Sequence, residues 1–514
     1  MKVVIGIAAA LVLLTGALVW THFKDKFSGK GAKSITVFCA AGIKKPVAAA
    51  AEQYRKEYGV EVQLQYGGTG TLLSQIQIAK RGDLFIAADE TAVEAAREAG
   101  TVVEVLPLCN QYPVIAVRAG NPKGVTTFED LFRKDLRVAV ANPEAASIGK
   151  ATKATAGERW AELEEKVTVM KPTVTELAAD LSLGSIDVAI VWNSTVPQFK
   201  GIEAVEVPEF AKRIDKVTVS VLTASKHPAS ALKFARYLNA PGKGAKIFRE
   251  NGFDAIEGDT WAPKPELILY SGGVNRPAVE KTLAEFAQRE GVTVTTIFNG
   301  CGVLCATMQA MNDASNPKFP DAYYACDLCF VPPVAEAFPE AFLLTETIIG
   351  ISVQNGNPKN VKTLADLAQP GLKVGICNAE QSTLGFMTQG MLRSSALENA
   401  VRRNVVVEVP TADFLINQMR AGALDAVIVY EVNYQLQKEY LEFFPIDHEG
   451  ARAVQPFSVH VNSERKQLAG RLLAFLQKNR KRFEETGFTW LGDQPAVKST
   501  DLEIPAWLKK PAEK

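Results

Sequence analysis

The sequence predicts an α/β protein made of two tandem copies of one unit, each with two α/β lobes around a cleft, behind an N-terminal membrane helix. Three observations lead to this prediction. A long segment occurs twice, strand and helix patterns alternate within each copy, and an uncharged apolar run opens the chain.

The duplication is visible in four motifs that recur in the same order. The paired motifs are separated by 232, 236, 238 and 235 residues, counted between their first letters. A period of that length is too long for a solenoid, so each copy is expected to have its own core. The pairs are YGGTGTL (66–72) with FNGCGVL (298–304), LRVAVAN (136–142) with LKVGICN (372–378), DVAIVW (187–192) with DAVIVY (425–430), and ENGF (250–253) with ETGF (485–488).

The repeats and the segments around them divide the chain into six predicted parts. Prolines mark the linker between the repeats, and prolines with lysines mark the C-terminal tail. The parts are a transmembrane signal anchor (1–23), a linker (24–33), the first repeat (34–258), a linker (259–265), the second repeat (266–492) and the tail (493–514).

The predicted anchor is the apolar run at residues 3–20, which is just long enough to span a bilayer. A cleaved signal peptide would have a shorter core and a clear cleavage site, and the TGA candidate at 15–17 is followed by more apolar residues. Lysines flank the run on both sides, so they do not set its orientation. We therefore expect an uncleaved single-pass anchor.

Each repeat combines two α/β blocks. Strand–helix alternation predicts parallel strands with crossover helices, and the long apolar strands 112–118 and 217–223 are expected to pass between the lobes as a hinge. The second repeat follows the same scheme from residue 267 to about 491. In the first repeat the other predicted strands are 35–41, 60–66, 83–87, 137–141, 167–170 and 188–192, and the helices are 44–58, 69–80, 90–99, 148–155, 174–182, 229–238 and 244–250.

Composition and motifs argue against several function classes. Lys+Arg and Asp+Glu are both 57, so no net charge attracts nucleic acid. The four histidines are scattered along the sequence. Nucleophile-elbow, P-loop and zinc-protease motifs are missing. The sequence therefore predicts neither a nucleic-acid partner nor an enzyme.

The turns before helices suggest a different chemistry. A small anion can be held by backbone N–H groups at helix N-termini without any lysine or arginine. Glycine and small residues lead into helices three times per repeat, in the first repeat after Phe38, at 67–70 and at 143–149. Several such neutral donors together could reach a free energy of about 8 kcal/mol, the micromolar range.

The first repeat resembles the periplasmic molybdate-binding proteins of ABC importers, and the second repeat resembles them more loosely. The resemblance implies periplasmic-binding-protein type II units, each with two lobes that close on a tetrahedral oxyanion. The matching stretches are TVFCAA (36–41), GTGTL (68–72), GDLFIAAD (82–89), NPE (142–144), IVW (190–192) and NGF (251–253).

The resemblance also implies which residues bind the anion in the first repeat. Gly42 and Trp192 fall where the family has serine and tyrosine, so one hydroxyl is lost and an indole N–H replaces the other. Thr69 keeps a hydroxyl, and Ile148 and Val174 supply backbone N–H groups.

The corresponding positions of the second repeat differ in their donors. Tyr430 retains the family's tyrosine, whereas Cys301 puts a thiol, which is a weak donor, in place of a hydroxyl. The corresponding positions are Val274, Cys301, Leu384, Ala412 and Tyr430. Ser271 and Gly273 lie near Val274 in the sequence, and Ser382 and Thr383 could supply hydroxyls at the third turn. We expect the two clefts to differ in the anion they bind.

Four cysteines crowd together in the second repeat, and three interpretations remain open. Cys301 and Cys305 are expected on the first turn of a helix, and Cys326 and Cys329 near a strand end. In an oxidising compartment they could form disulfides. Their spacing also suits a metal site, and they could remain thiols.

The predicted function is a membrane-tethered solute-binding protein that captures an oxyanion, molybdate or tungstate, and passes it to an ABC permease. No cofactor is expected, apart from a metal at the cysteine cluster as an alternative. The soluble part would lie in the periplasm or outside the cell. A second hypothesis is a sensor or redox module that uses the cysteine cluster, and a third is a scaffold whose second repeat only packs.

Overall fold

The computed structural model describes residues 32–311, 316 and 318–502. The chain divides into two compact units, Met1–Glu257 and Gly258–Lys514, which contain the first and the second repeat. No helix in the described part of the chain is long and apolar enough to cross a membrane. The predicted anchor lies outside the described residues.

Strand and helix alternate throughout the first repeat, and both form where the sequence pattern predicts them. The strands are β1 (Ser34–Ala40), β2 (Glu61–Gly67), β3 (Leu84–Ala87), β4 (Val102–Gln111), β5 (Pro113–Arg118), β6 (Val138–Ala141), β7 (Val169–Lys171), β8 (Val188–Trp192), β9 (Ile202–Val205), β10 (Asp215–Leu222) and β11 (Asp254–Ala255). The helices are α1 (Lys44–Tyr58), α2 (Thr69–Ala79), α3 (Glu90–Glu98), α4 (Ser147–Ala156), α5 (Trp160–Lys166), α6 (Val174–Leu183), α7 (Pro208–Ala211), α8 (Pro228–Asn239) and α9 (Gly244–Glu250).

Two sheets define the two lobes of the first repeat. One has six strands in the order β11-β4-β10-β3-β1-β2, and the other has five in the order β7-β6-β8-β5-β9. Strands β1, β2 and β3 pair in parallel, as do β6, β7 and β8. In a parallel sheet the carboxyl ends of the strands share one edge, which is where ligands bind in α/β proteins. The cleft forms where those edges meet.

Local sequence explains how the helices begin and end. Helix α1 buries Val47, Ala50 and Tyr54 along one face and ends at Gly59, whose φ of 68° suits glycine. Asp89 caps α3 by accepting the N–H of Ala92 at 2.9 Å. Gly59 therefore sets where α1 ends, and Asp89 sets where α3 begins, directly after β3.

The second repeat has a similar order of elements, but 3-10 turns stand where the first repeat has α3. Its strands are β12 (Glu266–Gly272), β13 (Thr293–Asn299), β14 (Ala322–Tyr324), β15 (Glu340–Gln354), β16 (Val374–Cys377), β17 (Val405–Val409), β18 (Ala426–Tyr430), β19 (Leu441–Pro445), β20 (Arg452–Val459), β21 (Thr489–Trp490) and β22 (Val497–Lys498). Its helices are α10 (Arg276–Glu290), α11 (Cys301–Met311), α12 (Thr383–Ser394), α13 (Glu398–Arg402), α14 (Ala412–Arg420), α15 (Glu431–Gln435), α16 (Lys466–Lys478) and α17 (Lys481–Glu485).

The passage between the lobes differs in the two repeats. In the second repeat β15 runs unbroken from one lobe into the other, so its strands form one 11-stranded sheet. Ile349 of β15 donates its N–H to Ala451 at 2.8 Å. Its counterpart is Pro113, because Pro113 pairs with Trp192 as Ile349 pairs with Tyr430. Proline has no N–H to donate, which explains why the first repeat splits here into β4 and β5.

The predicted hinge strands are therefore only partly right. Residues 112–118 and 217–223 were expected to cross between the lobes, but β5 and β10 each belong to one sheet. The first crossing lies at Tyr112, whose N–H is held by the Asn193 side chain at 3.0 Å. The expectation of a mixed α/β fold is confirmed.

Candidate functional site

A small cavity lies between the two lobes of the first repeat. Its volume is about 20 Å³, which exceeds the space that one water molecule needs. All five residues that the resemblance implied line this cavity: Gly42, Thr69, Ile148, Val174 and Trp192. The remaining lining residues are small or hydroxylated, namely Ala40, Ala41, Gly67, Gly68, Ala88, Ala146, Ser147 and Thr173.

Three helices begin at the cavity wall. Helices α2, α4 and α6 start at Thr69, Ser147 and Val174. The residues that precede α2 and α4, Gly68 and Ala146, form no side-chain cap. The Gly70 N–H of α2 and the Gly149 N–H of α4 already donate to the carbonyl oxygens of Ala145 and Ala146, so the N–H groups at the very start of each helix are the ones that need another acceptor. An anion in the cavity would supply it and would also interact favourably with the helix dipoles.

Gly42 occupies a short 3-10 turn, Ala41–Ile43, and its carbonyl oxygen accepts Gln198 Nε2 at 3.1 Å. A Cβ at this position would lie 2.9 Å from Val174 Cγ1, which is closer than a real Cβ contact. The serine that the family has here would therefore clash with Val174.

Thr69 keeps a hydroxyl at the second turn, and the side chain is buried. Its Oγ1 accepts a long hydrogen bond of 3.4 Å from the Ala88 N–H. Since that bond uses a lone pair, the hydroxyl hydrogen stays available for an anion. Thr69 is thus a neutral donor at the centre of the cavity wall.

Thr195 is a candidate that the sequence analysis missed. Its Oγ1 lies 4.0 Å from the position that a Cβ on Gly42 would take. The side chain is fully buried, and this hydroxyl has no hydrogen-bond partner among the described residues. A buried hydroxyl without a partner is costly unless a ligand or water satisfies it. The hydroxyls that follow Trp192 in the sequence were the available signal.

Two glycines allow the lobes to close. A Cβ on Gly68 would meet the carbonyl oxygen of Ala145 at 2.2 Å, and one on Gly70 would meet that of Glu144 at 2.2 Å. The Gly70 N–H donates to Ala145 O at 3.0 Å. Ser147 adds a second contact across the cleft through its hydrogen bond to Asp89. These contacts hold the closed arrangement.

The electrostatics of this cavity are those of a donor cluster. None of the described residues that line it carries a charged side chain, so the field comes from N–H and O–H dipoles and helix starts. Such a site favours an anion that needs donors and offers no proton of its own.

The second repeat keeps the closing contacts. A Cβ on Gly300 would meet Gln381 O at 2.1 Å, and one on Gly302 would meet Glu380 O at 2.0 Å. The Val303 N–H donates to Gln381 O at 3.4 Å. The backbone of both repeats therefore closes in the same manner, and the differences lie in side chains.

Two thiols fill the second cleft where the first has its cavity floor. Cys301 occupies the position of Thr69, and Cys326 occupies that of Ala88. The contacts match, because the Cys326 N–H donates to Cys301 Sγ at 3.0 Å as the Ala88 N–H donates to Thr69 Oγ1. The two sulfur atoms are 2.9 Å apart. A Cβ on Gly272 would lie 2.2 Å from Cys326 Sγ. The first repeat has Ala40 at that position, so Gly272 makes room for the thiol.

The other predicted residues of the second cleft are buried near this pair. Thr383 Oγ1 and the Tyr430 hydroxyl have no hydrogen-bond partner among the described residues. Burial, together with the nearby acidic groups, raises the pKa of Tyr430 well above its usual range, so it stays a donor. Leu384 and Ala412 lie at the starts of α12 and α14.

Ser271 hydrogen-bonds to the residue next to it in the chain, and Gly273 lies close to Thr411. The Ser271 hydroxyl donates to Gly272 O at 3.3 Å, as the Cys39 thiol donates to Ala40 O at 3.5 Å. Ser271 thus occupies the place of a core residue. A Cβ on Gly273 would meet Thr411 Cγ2 at 3.4 Å.

The cysteine cluster separates into a pair and two single thiols. Cys305 Sγ donates to Phe330 O at 3.2 Å, and the Cys329 N–H is held by Asp327 at 3.0 Å. All seven cysteines of the sequence are free thiols in the structure. In the described part of the chain no three His, Cys, Asp or Glu side chains group closely enough to hold a metal ion.

The fold and the cavity of the first repeat define a two-lobed binding protein for a small solute. A sequence model of the family described as bacterial extracellular solute-binding protein matches residues 35–254 and again residues 267–489. The chain therefore belongs to this family and carries two copies of its domain in tandem. The resemblance to the molybdate-binding proteins is confirmed.

Several curated relatives span the length of one repeat. The molybdate-binding protein ModA of Escherichia coli is 29% identical over 230 residues, which is 43% of this chain and 88% of the relative. That of Mycobacterium bovis is 27% identical over 227 residues, 44% of this chain and 85% of the relative. These relatives are binding proteins.

Solved structures of similar proteins also cover about one repeat. The Azotobacter vinelandii periplasmic molybdate-binding protein is 19% identical, with a TM-score of 0.37 over 43% of this chain and 98% of its own. The sulfate-binding protein SubI from Mycobacterium tuberculosis is 20% identical, with a TM-score of 0.39 over 51% of this chain and 94% of its own.

Proposed function

We propose that the first repeat binds a tetrahedral oxyanion, molybdate or tungstate, and presents it to an ABC permease. The observation that carries the proposal is the cavity that Gly42, Thr69, Ile148, Val174 and Trp192 line together. Curated relatives named as molybdate-binding proteins support the choice of anion.

The size and chemistry of the cavity support a small dianion. A volume of about 20 Å³ favours a small inorganic ion over an organic solute. The lining offers hydroxyls and backbone N–H groups, which stabilise charge by donation. Phosphate near neutral pH still carries a proton that requires an acceptor, whereas molybdate, tungstate and sulfate do not. The site is therefore expected to discriminate against phosphate.

Binding is proposed to proceed by closure of the two lobes. Gly68 and Gly70 allow the start of α2 to approach the backbone of the other lobe at Ala145. Donors from both lobes then surround the ion, and these contacts exist only in the closed state. A ligand that binds the closed state better shifts the population toward it. The permease would recognise this closed form.

We also propose that residues 1–23 tether the protein to the cytoplasmic membrane, with both repeats outside the cytoplasm. The uncharged run at 3–20 is the supporting feature. Deletion of residues 1–23 should move the protein from the membrane fraction to the soluble fraction. Retention in the membrane fraction after deletion would contradict the tether.

The binding proposal is tested by isothermal titration calorimetry of the purified chain with molybdate, tungstate, sulfate and phosphate. We expect micromolar or tighter binding of molybdate or tungstate, and binding of phosphate weaker by at least about a hundredfold, about 3 kcal/mol. If phosphate is the only anion that gives heat, the protein would be a carrier of a different oxyanion from the one proposed. No heat from any of the four anions would refute the proposed function.

A further inference from the structure

The second cleft contains a pair of thiols that the proposed anion function does not use. Cys301 Sγ and Cys326 Sγ are 2.9 Å apart, and Cys301 Sγ also accepts the Cys326 N–H at 3.0 Å. Cys301 is completely buried, and Cys326 is 5% exposed. We propose that Cys301 and Cys326 form a dithiol–disulfide pair, which gives the second repeat a redox site in place of an anion site.

The surrounding backbone is adapted to this pair. Cys326 Sγ occupies the space that a Cβ on residue 272 would need, with a separation of only 2.2 Å. The first repeat has a methyl group at the matching position, Ala40, and another on Ala88. The exchange of two alanines for Gly272 and Cys326 keeps the total volume similar while it brings a second sulfur next to the first.

The environment favours a thiolate on Cys301. This residue is the first of α11, where the helix dipole stabilises negative charge. Burial raises the pKa of the Cys301 thiol, but its contacts with the Cys326 side chain, the Tyr323 hydroxyl and the Cys326 N–H outweigh burial and lower it below its usual value. The same pairing raises the pKa of Cys326. Because Cys301 begins α11, it is assigned as the nucleophile and Cys326 as its partner thiol.

Two hydroxyls from the opposite lobe also favour a thiolate at this cysteine pair. Thr383 Oγ1 and the Tyr430 hydroxyl are buried without a partner among the described residues, and both lie close enough to the sulfur pair to influence its ionisation. In the first repeat the matching lobe would donate to a free anion. In the second repeat these donors lie near a pair of sulfur atoms that belongs to the chain.

The geometry distinguishes this pair from a metal site. Two thiolates that bind one metal ion in tetrahedral geometry stand about 3.8 Å apart, because each metal–sulfur bond measures about 2.3 Å. The observed 2.9 Å is shorter. Cys305 and Cys329 have other contacts, with Phe330 O and the Asp327 side chain.

The redox step is thiol–disulfide exchange with a small or protein disulfide. The Cys301 thiolate attacks one sulfur of that disulfide and releases its other half as a thiolate. Cys326 then attacks Cys301 Sγ in the mixed disulfide, and its proton passes to the second thiolate as it leaves. The first thiolate takes up from water the proton that Cys301 released on ionisation. The dithiol is oxidised to a disulfide, and the partner disulfide is reduced to two thiols. Since both sulfurs are buried, exchange requires the cleft to open.

The test is a redox titration of the full chain in glutathione buffers, followed by acid quenching, alkylation and peptide mapping. We expect a disulfide-linked peptide that joins Cys301 to Cys326, with Cys305 and Cys329 alkylated at every redox ratio. A disulfide between other cysteines would overturn the pairing. The proposed redox site would be wrong if all the thiols are still alkylated after the protein is unfolded and refolded in pure oxidised glutathione.

Two variants separate the proposed chemistry from mere proximity. Cys326→Ser should leave Cys301 as a mixed disulfide with glutathione, seen as a mass increase, whereas Cys329→Ser should keep the Cys301–Cys326 disulfide. If Cys326→Ser fails to fold, the wild-type peptide map still decides. Metal analysis of the same wild-type protein completes the test, because one bound metal ion per chain that blocks alkylation of both thiols would refute the dithiol pair.

Discussion

The first and second repeats share a backbone and differ in what fills the cleft. Gly68 and Gly300 allow the same close approach between lobes, to 2.2 and 2.1 Å from a carbonyl oxygen for a built Cβ. The first repeat places Thr69 beside a small cavity, whereas the second places Cys301 beside Cys326 Sγ. The comparison teaches that closure depends on backbone glycines, while the chemistry depends on a few side chains that can change independently.

The largest expected effect comes from blocking closure in one repeat. Gly68→Ala would push a methyl group against Ala145 O and Pro172 O, neither of which can move like a flexible side chain. We expect anion affinity to fall by at least about a hundredfold, about 3 kcal/mol, measured by calorimetry.

Two controls sharpen this prediction. Gly300→Ala makes the same change in the second repeat and should leave the anion affinity as it was. Gly242→Ala adds a methyl group where no heavy atom lies within 4 Å and should also be neutral. Equal losses from Gly68→Ala and Gly300→Ala would break the assignment of the anion to the first repeat.

A smaller effect is expected from removing one donor. Thr69→Val keeps the shape of a buried side chain but removes its hydroxyl, so binding should weaken about ten- to a hundredfold, roughly 1–3 kcal/mol. Thr69→Ser should retain most of the affinity. Thr71→Val, on the exposed side of the same helix, is the matched control. Wild-type affinity in Thr69→Val would remove this residue from the site.

Thr195→Val is expected to weaken binding by about 1 kcal/mol, roughly fivefold. The Thr195 hydroxyl has no partner among the described residues, so its removal should not lower the thermal stability of the unliganded protein. The expected result is therefore weaker anion binding with unchanged thermal stability. A loss of stability with unchanged affinity would mean that the hydroxyl serves the fold.

The smallest effect concerns a structural ion pair that the repeats do not share. Arg137 binds Asp187 through Nη2 at 2.8 Å and Nε at 3.1 Å, and its hydrogen bonds lower the pKa of Asp187 to about 2. The counterpart carboxylate of Asp425 accepts the backbone N–H of Lys373 at 2.8 Å, and lysine lacks the two-pronged guanidinium.

Because the Asp187 pKa is lowered, its stabilising contribution is full above the ordinary value of 3.8 and is lost as pH falls through about 2. Asp187→Asn should therefore cost about 1 kcal/mol at pH 7, after allowance for the half-exposed arginine, and progressively less as pH falls through about 2. Scanning calorimetry can follow this. Asp425→Asn should cost less at pH 7, and equal costs would contradict the difference between the repeats.

Much of the fold could be predicted because periodicity reports burial directly. The helix predicted at 44–58 and the strand predicted at 188–192 have the same bounds in the structure. Strand β4 was missed, since Glu104, Pro107 and Asn110 interrupt its apolar pattern. The hinge was misplaced because a strand's length does not reveal which sheet it joins.

The candidate site was predictable only where the family resemblance marks it. The resemblance implied Gly42, Thr69, Ile148, Val174 and Trp192, and the structure brings them together. Thr195 was missed because its role depends on the packing of the opposite lobe around Gly42. The close pairing of Cys301 with Cys326 also depends on Gly272, which only three-dimensional contact reveals.

The central claim is that one chain holds one oxyanion, in the first repeat, while the second cleft holds its own sulfur pair. The most direct measurement is the stoichiometry of molybdate or tungstate bound to the reduced full chain, by calorimetry or native mass spectrometry. The account predicts one anion per chain, abolished by Gly68→Ala and retained in Gly300→Ala. Two equivalent anions per chain, or a single anion that survives Gly68→Ala, would contradict it.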